Sequence, residues 1–167
     1  SDFKGPISGN FMRADPNGKM VWTTAGTRVV GLNIQTKQFV GYDIPTKNPG
    51  AYGMDVAGDG RVWFVEREAN KIGRLDPATG KIDEFPTPGV DIPRRMGTDW
   101  EGNLWVGFHE TGKLVKIDQK SGKMTLGYKT SISTWNPNIR PKPQSHHERP
   151  AHAIRESNAH SSGNPRA

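Results

Sequence analysis

Short runs of β-branched, aromatic and other apolar residues alternate with tight turns along residues 1–128. Between residues 50 and 88, four such runs occupy residues 52–57, 61–65, 71–76 and 81–85. The turns between them contain Gly58-Asp59-Gly60 and the segment 76–80, in which Pro fixes φ and Gly supplies a positive φ. Pro86 and Pro88 end the last run. This pattern predicts four antiparallel strands in about 42 residues.

The same pattern occurs three times, with a period of 41 to 43 residues. The positions that repeat are Met12, Met54 and Met96; Gly18, Gly60 and Gly102; Trp22, Trp63 and Trp105; and Leu32, Leu75 and Ile117. Four-stranded repeats of this length are typical of the blades of a β-propeller. We therefore predict an all-β fold, an incomplete β-propeller of about three four-stranded antiparallel blades near residues 7–45, 50–88 and 93–128. The repeated Trp and Met side chains are predicted to lie in the core.

Two positions depart from the repeat, and a different kind of sequence follows it. Lys37 stands where the later copies have Gly80 and Gly122, so we expect a different turn in the first blade. Phe85 aligns with Gly127, so the third blade is expected to lose the pattern at its last strand. Residues 129–167 hold five Pro, four His and one aromatic residue, and we predict a disordered basic tail there. An altered reading frame after the third blade is an alternative explanation of this tail.

Composition and charge narrow the classes of function. Gly and Pro together number 33 of 167 residues, which favours short strands over a helical bundle. No apolar run reaches the 18 residues of a membrane span, so no membrane partner is expected. The net charge is +6, but residues 1–128 hold 17 Lys and Arg against 15 Asp and Glu, so no nucleic-acid partner is expected either.

The ends of the sequence and its cysteine content bear on origin and location. The chain begins at Ser1 without an apolar leader, so we expect a processed product or a piece of something longer. Cysteine is absent, which excludes disulfides and thiolate chemistry and is compatible with oxidising and reducing compartments. We expect a periplasmic or extracellular location rather than a cytoplasmic one.

Three blades leave two apolar sheet faces without a neighbouring blade, because propellers close with about four to eight. Truncation of a longer propeller is the interpretation that we favour. Self-association of two or more chains to close the ring is the second, since a pair of chains would supply six blades. An open, partly folded fragment is the third.

Several segments resemble the repeat of the streptogramin lyase family. They are residues 70–86, residues 59–66 (Asp-Gly-Arg-Val-Trp-Phe-Val-Glu) and residues 101–105. The resemblance implies a propeller that opens a cyclic depsipeptide by elimination across an ester, with magnesium and a histidine that acts in proton transfer. At the places where the resemblance implies this histidine, the sequence has Gly50-Ala51-Tyr52 and Pro93-Arg94-Arg95. The resemblance therefore supports the predicted fold but does not identify a catalytic histidine.

One end of the blades carries the reactive side chains. The turns at the other end are tight and poor in such groups, so we place a ligand-binding mouth at the end with the longer connections. Its predicted residues are Tyr52, Glu66, Arg67, Glu68, Arg94, Arg95, His109 and Glu110.

Two kinds of chemistry are open to these mouth residues. His109, Glu110 and Glu66 are candidates for a general base and metal-binding carboxylates, with a solvated loop as the alternative. Arg94 and Arg95 are suited to an anionic ligand, with surface ion pairs to Glu66 or Glu68 as the alternative.

We predict a propeller fragment that binds a small molecule or a peptide at this mouth, with no cofactor assigned beyond the magnesium that the resemblance implies. The alternative is a metal-assisted lyase that is complete only with further blades or subunits. The four histidines of the tail, His146, His147, His152 and His160, are read as adventitious rather than as a metal site.

Overall fold

The computed structural model describes residues 9, 11–89 and 91–129, and these residues form strands and turns without a helix. The strands are β1 (Met12–Ala14), β2 (Met20–Ala25), β3 (Arg28–Asn33), β4 (Phe39–Asp43), β5 (Ala51–Val56), β6 (Val62–Glu66), β7 (Lys71–Leu75), β8 (Ile82–Pro86), β9 (Pro93–Thr98), β10 (Leu104–Phe108), β11 (Lys113–Ile117) and β12 (Met124–Lys129). Within these ranges no helix is long and apolar enough to cross a bilayer. The predictions of a disordered tail and of an altered frame lie outside the described residues, apart from Lys129.

The strands form three four-stranded antiparallel sheets, each in sequence order. We call them the first blade (β1–β4), the second blade (β5–β8) and the third blade (β9–β12). The register brings repeat positions together in the same way in each blade, as in the pairs Val62 with Leu75 and Leu104 with Ile117. The predicted fold class, a partial β-propeller of three antiparallel blades, is confirmed.

Two hydrophobic cores lie between the blades. The strands are short and both of their faces are apolar, so alternate side chains point to the preceding and to the following blade. Phe64 belongs to the core between the first and second blades, whereas its neighbour Trp63 belongs to the core between the second and third. Both side chains are fully buried. Every blade therefore depends on its neighbour for part of its core.

The inner strands are also linked through polar groups. Asp55 on β5 lies 3.4 Å from the Nε of Arg13 on β1. The same carboxylate accepts hydrogen bonds from the backbone N–H of Thr98 on β9 at 2.6 Å and from its hydroxyl at 2.7 Å. One carboxylate thus joins the inner strands of all three blades.

Each blade packs its tryptophan against an aromatic ring of its outermost strand. The pairs are Trp22 with Tyr42 at 6.2 Å, Trp63 with Phe85 at 5.7 Å and Trp105 with Tyr128 at 6.1 Å between ring centroids. Tyr128, not Gly127, is therefore the counterpart of Phe85, and the expected loss of the pattern in the third blade is wrong. The alignment was off by one because the pairing of β11 with β12 shifts register between Leu114 and Val115.

The turn after β3 is the same as in the other blades, so the different turn expected from Lys37 is also wrong. Lys37 adopts φ of 61°, close to the 74° of Gly80 and the 73° of Gly122. Its N–H donates to the carbonyl of Asn33 at 2.9 Å, as Gly80 does to Asp76. Capping hydrogen bonds from the backbone to the Asn33 side chain hold the turn, and Lys37 takes the left-handed conformation at a cost of about 1–2 kcal/mol.

The outer sides of the first and third blades expose residues that were predicted to lie in the core. Trp22, Trp63, Met54 and Met96 are buried as predicted, but Trp105 is half-buried and Met12 is 67% exposed, because no further blade among the described residues packs on either outer side. With Val21, Thr23, Val30, Leu32, Lys37 and Phe39, Met12 lines an open groove that we call the rear face. On the third blade, Trp105, Lys116 and Tyr128 form what we call the front face.

Candidate functional site

At the predicted mouth, backbone hydrogen bonds join the loops to the residues just before the inner strands. The N–H of Arg67, in the loop after β6, donates to the carbonyl of Gly50 just before β5 at 3.3 Å. In the third blade, the N–H of His109 after β10 donates to the carbonyl of Ile92 just before β9 at 3.0 Å. These bonds fix the loop side chains next to the first residues of the inner strands.

Cationic and aromatic side chains from all three blades meet there. We call Phe11, Tyr52, Arg67, Arg94, Arg95 and His109 the mouth cluster. The guanidinium of Arg67 lies 5.2 Å and that of Arg94 6.0 Å from the centroid of the Tyr52 ring. Phe11 packs edge-on against Tyr52 at 5.1 Å, and Arg95 lies 5.1 Å from the Phe11 ring. Such cation–π contacts are worth about 0.5–2 kcal/mol each, and they hold three positive charges close together.

His109 joins the cluster through Arg94. The Nη1 of Arg94 lies 3.0 Å from the Nδ1 of His109. The same atom lies 3.4 Å from the Nε2 of His109, and arginine can only donate, so the ring nitrogen that is bonded acts as the acceptor. Arg94 thus holds the His109 ring beside the mouth cluster.

Two of the guanidinium groups have buried donors. The Nε atoms of Arg67 and Arg94 are inaccessible to water and have no hydrogen-bond partner among the described residues. Arg67 also lies 3.7 Å from the exposed carboxylate of Glu68. Because part of each guanidinium is stripped of water, its attraction for an anion is stronger than that of a fully solvated arginine.

Glu66 is not part of the mouth cluster. It ends β6, is fully buried, and neither of its carboxylate oxygens has a hydrogen-bond partner among the described residues. Burial raises the pKa of Glu66 to about 8, and the nearby negative charge of Glu84 adds to the rise, against the opposing charge of Lys71. Glu66 is therefore protonated at neutral pH and is a poor metal ligand there.

The third blade positions Glu110 through a buried carboxylate. Asp91 accepts hydrogen bonds from the N–H of Glu110 at 3.1 Å and from the N–H of Thr111 at 3.2 Å. Among the described residues, no three His, Cys, Asp or Glu side chains form a group that could hold a metal ion. His109, Glu110 and Glu66 do not assemble into such a group, so these residues do not fit the magnesium that the resemblance implies.

Two residues of this region were not singled out from the sequence. Phe11 lies one repeat before Gly53 and two repeats before Arg95. This spacing could have placed Phe11 at the same end of its blade as Arg95. Asp91 lies outside the strands, where no periodic pattern marks it. Its role as a cap for the loop at Glu110 depends on contacts that only the folded chain brings together.

Comparison with known proteins supports the fold. No family model matches the chain. A 34-residue segment is 44% identical to virginiamycin B lyase from Bacillus licheniformis, and it covers 20% of this chain and 12% of that protein.

Solved structures resemble a larger part of the chain. A catalytically inactive virginiamycin B lyase from Staphylococcus aureus, solved with quinupristin, matches with a TM-score of 0.69 at 22% identity, over 80% of this chain and 46% of that one. Hydrazine synthase from Kuenenia stuttgartiensis matches with a TM-score of 0.65 at 14% identity, over 78% of this chain and 38% of that one.

These matches establish the resemblance to streptogramin lyases that the repeat motifs predicted, and they establish a partial propeller fold. The chain spans less than half the length of each of these proteins. A lyase and a hydrazine synthase share the architecture, so the fold by itself does not assign an activity.

Proposed function

We propose that this chain is a propeller fragment whose mouth cluster binds an anionic small molecule or an acidic peptide. The observation that carries the proposal is the convergence of Arg67, Arg94 and Arg95 on the rings of Tyr52 and Phe11. The rings hold the guanidinium groups in place before a ligand arrives, which reduces the entropy that binding costs. The aromatic edges give an apolar part of the ligand a surface to contact.

The test compares a carboxylate with its neutral analogue. In NMR titrations of the full chain, benzoate should give saturable shifts at Tyr52 and Arg94, and benzamide should not. Arg94→Met keeps most of the stem and removes the charge, so it should weaken benzoate binding at least tenfold, about 1.4 kcal/mol.

Arg61→Met is the matched control, because Arg61 pairs with Asp59 and Asp76 at the tight turns. It should leave benzoate binding unchanged. Equal binding of benzoate and benzamide, or equal losses in the two variants, would contradict the proposed anion site.

The alternative is a metal-assisted lyase that opens a cyclic depsipeptide and is complete only with further blades or subunits. The 34-residue match to virginiamycin B lyase favours it, since that identity is well above the similarity of the fold neighbours. The described residues supply no metal group, so the metal ligands would come from elsewhere. Quinupristin incubated with the chain and Mg²⁺ should then gain a linear product by mass spectrometry. Unchanged quinupristin would count against this alternative for the chain by itself.

A further inference from the structure

The rear face repeats a surface that the chain buries twice. Its groove has a volume of about 380 Å³, and its lining is almost entirely apolar. The counterparts of Met12 in the other blades, Met54 and Met96, are 1% and 4% exposed because each packs against the preceding blade. The rear face therefore has the chemistry of a blade surface that is normally covered by another blade.

The front face repeats the opposite surface. Its residues Trp105, Lys116 and Tyr128 occupy the positions of Trp63, Arg74 and Phe85 in the second blade. In that blade, the tryptophan and the phenylalanine pack against the third blade. The Nη1 of Arg74 donates to carbonyl oxygens in the turn of the third blade, those of Gln119 at 2.9 Å and Lys120 at 3.2 Å.

The first blade has the matching acceptors. Its turn at residues 33–37 has the geometry of the turn at residues 118–122, so the carbonyls of Ile34 and Gln35 take the places of those of Gln119 and Lys120. Lys116 on a front face would reach such acceptors on a rear face. Lys37 stands where the other blades have Gly80 and Gly122. A Cβ added at Gly122 would lie 2.1 Å from the Phe85 ring, but one added at Gly80 would lie 3.3 Å from the Tyr42 ring. The Tyr128 ring would therefore have to take the position of the Tyr42 ring to leave room for Lys37.

We propose that two copies of this chain associate front to rear, with the front face of each against the rear face of the other, and close a six-bladed ring. The described residues of one chain present one front face and one rear face, so a pair covers all four. Six blades lie within the range in which propellers close. Each contact would continue the interface already formed between the blades inside the chain, and head-to-tail contacts that close give a ring rather than a fibre.

The test is the mass of the full chain in solution by light scattering across a concentration series. Wild type should approach twice the 18.4 kDa of one chain. Met12→Glu and Tyr128→Glu place a charge at positions that are each 67% exposed, so neither should unfold a blade. Each variant alone should remain at the mass of one chain, because both contacts of a ring would contain the altered face.

A mixture of the two variants tests whether a front face meets a rear face or two like faces meet each other. An equimolar mixture of the two variants should recover pairs, since the intact front face of Met12→Glu meets the intact rear face of Tyr128→Glu. These pairs should be weaker than those of wild type, because their second contact joins the two altered faces. Trp100→Glu is the control, because Trp100 is 75% exposed and belongs to neither face, and its pairs should persist.

Three results would overturn the proposal. A wild-type mass of one chain at every concentration would mean that something other than a second copy covers the faces, such as further blades of a longer protein. A variant that pairs with itself as tightly as wild type would exclude its face. A mass that rises without limit would exclude the closed ring.

Discussion

Glu66 is an acid inside an apolar sheet, and its protonation couples the fold to pH. Its raised pKa means that the folded state keeps a proton that the unfolded chain releases near its ordinary value of 4.5. The stabilising contribution is complete below about pH 4.5 and is lost as the pH rises through about 8. Within that window, the free energy of unfolding falls by up to about 1.4 kcal/mol per pH unit.

Glu66→Gln should remove this dependence, because the amide has the shape of the protonated acid and cannot ionise. Chemical denaturation at pH 4.5, 6 and 8 should give a flatter profile for the variant and a higher stability than wild type at pH 8. Glu68→Gln is the control, because its side chain is 63% exposed, and it should keep the wild-type slope. Identical slopes in all three proteins would show that Glu66 ionises normally in the folded chain.

Two single residues, Lys37 and Glu66, have conformations or surroundings that could not be predicted from the sequence. The turn around Lys37 was expected to differ because lysine rarely adopts a positive φ, but the Asn33 cap imposes that conformation. Burial of Glu66 was not foreseen, because a charged residue at the end of a strand reads as exposed. A local hydrogen-bonded cap determines the conformation of Lys37, and tertiary packing determines the burial of Glu66. Residue type alone reveals neither.

At the scale of the element, the contact between the outermost strand of one blade and a turn of the next blade determines how closely the two blades pack. Phe85 on β8 packs against Gly122 in the turn between β11 and β12, and a Cβ added at Gly122 would lie 2.1 Å from the Phe85 ring. Gly60 also has a positive φ, but nothing lies within 4 Å of a Cβ added there. The two glycines therefore share a backbone requirement and differ in the space around them.

Alanine at each position separates the two effects. Gly60→Ala should cost about 1–2 kcal/mol of unfolding free energy from backbone strain alone. Gly122→Ala should cost a further 1–3 kcal/mol, because the methyl group displaces the Phe85 ring. Urea denaturation measures both, and adding Phe85→Ala to Gly122→Ala should show coupling between the sites. Equal costs at the two glycines would mean that the ring moves away freely.

The elements themselves were largely predictable from the sequence. A repeated strand-turn pattern with tryptophan, methionine and glycine at fixed spacing identified the three sheets, since period and turn chemistry are local properties. The pairing of Tyr128 was missed because a register shift between β11 and β12 displaces it by one position. The mouth was predicted from the topology of the turns, but the stacking of arginines on Tyr52 and Phe11 depends on packing between blades.

At the scale of the whole molecule, the three blades are not equally protected. In the part of the chain that the structure describes, the second blade packs against a neighbouring blade on both sides, and the first and third blades each pack against one. In stacked repeats, stability comes from each repeat and from its interfaces with its neighbours. The second blade should therefore be the last part to open.

Hydrogen exchange measured residue by residue should show this order. Amides of β6 and β7 should exchange most slowly, and those of β2, β3, β10 and β11 faster. If copies associate as proposed, exchange in the first and third blades should slow as the concentration rises, while the second blade should change little. One common rate at all concentrations would instead indicate that the blades open together.

The tryptophan of each blade points toward the side of the following blade and the methionine toward the side of the preceding one, so the stack has a direction. Two tryptophan sides do not match each other, and neither do two methionine sides. Fusing further blades, duplicating existing ones or grafting this segment onto another propeller should thus succeed only when every repeat points the same way along the series.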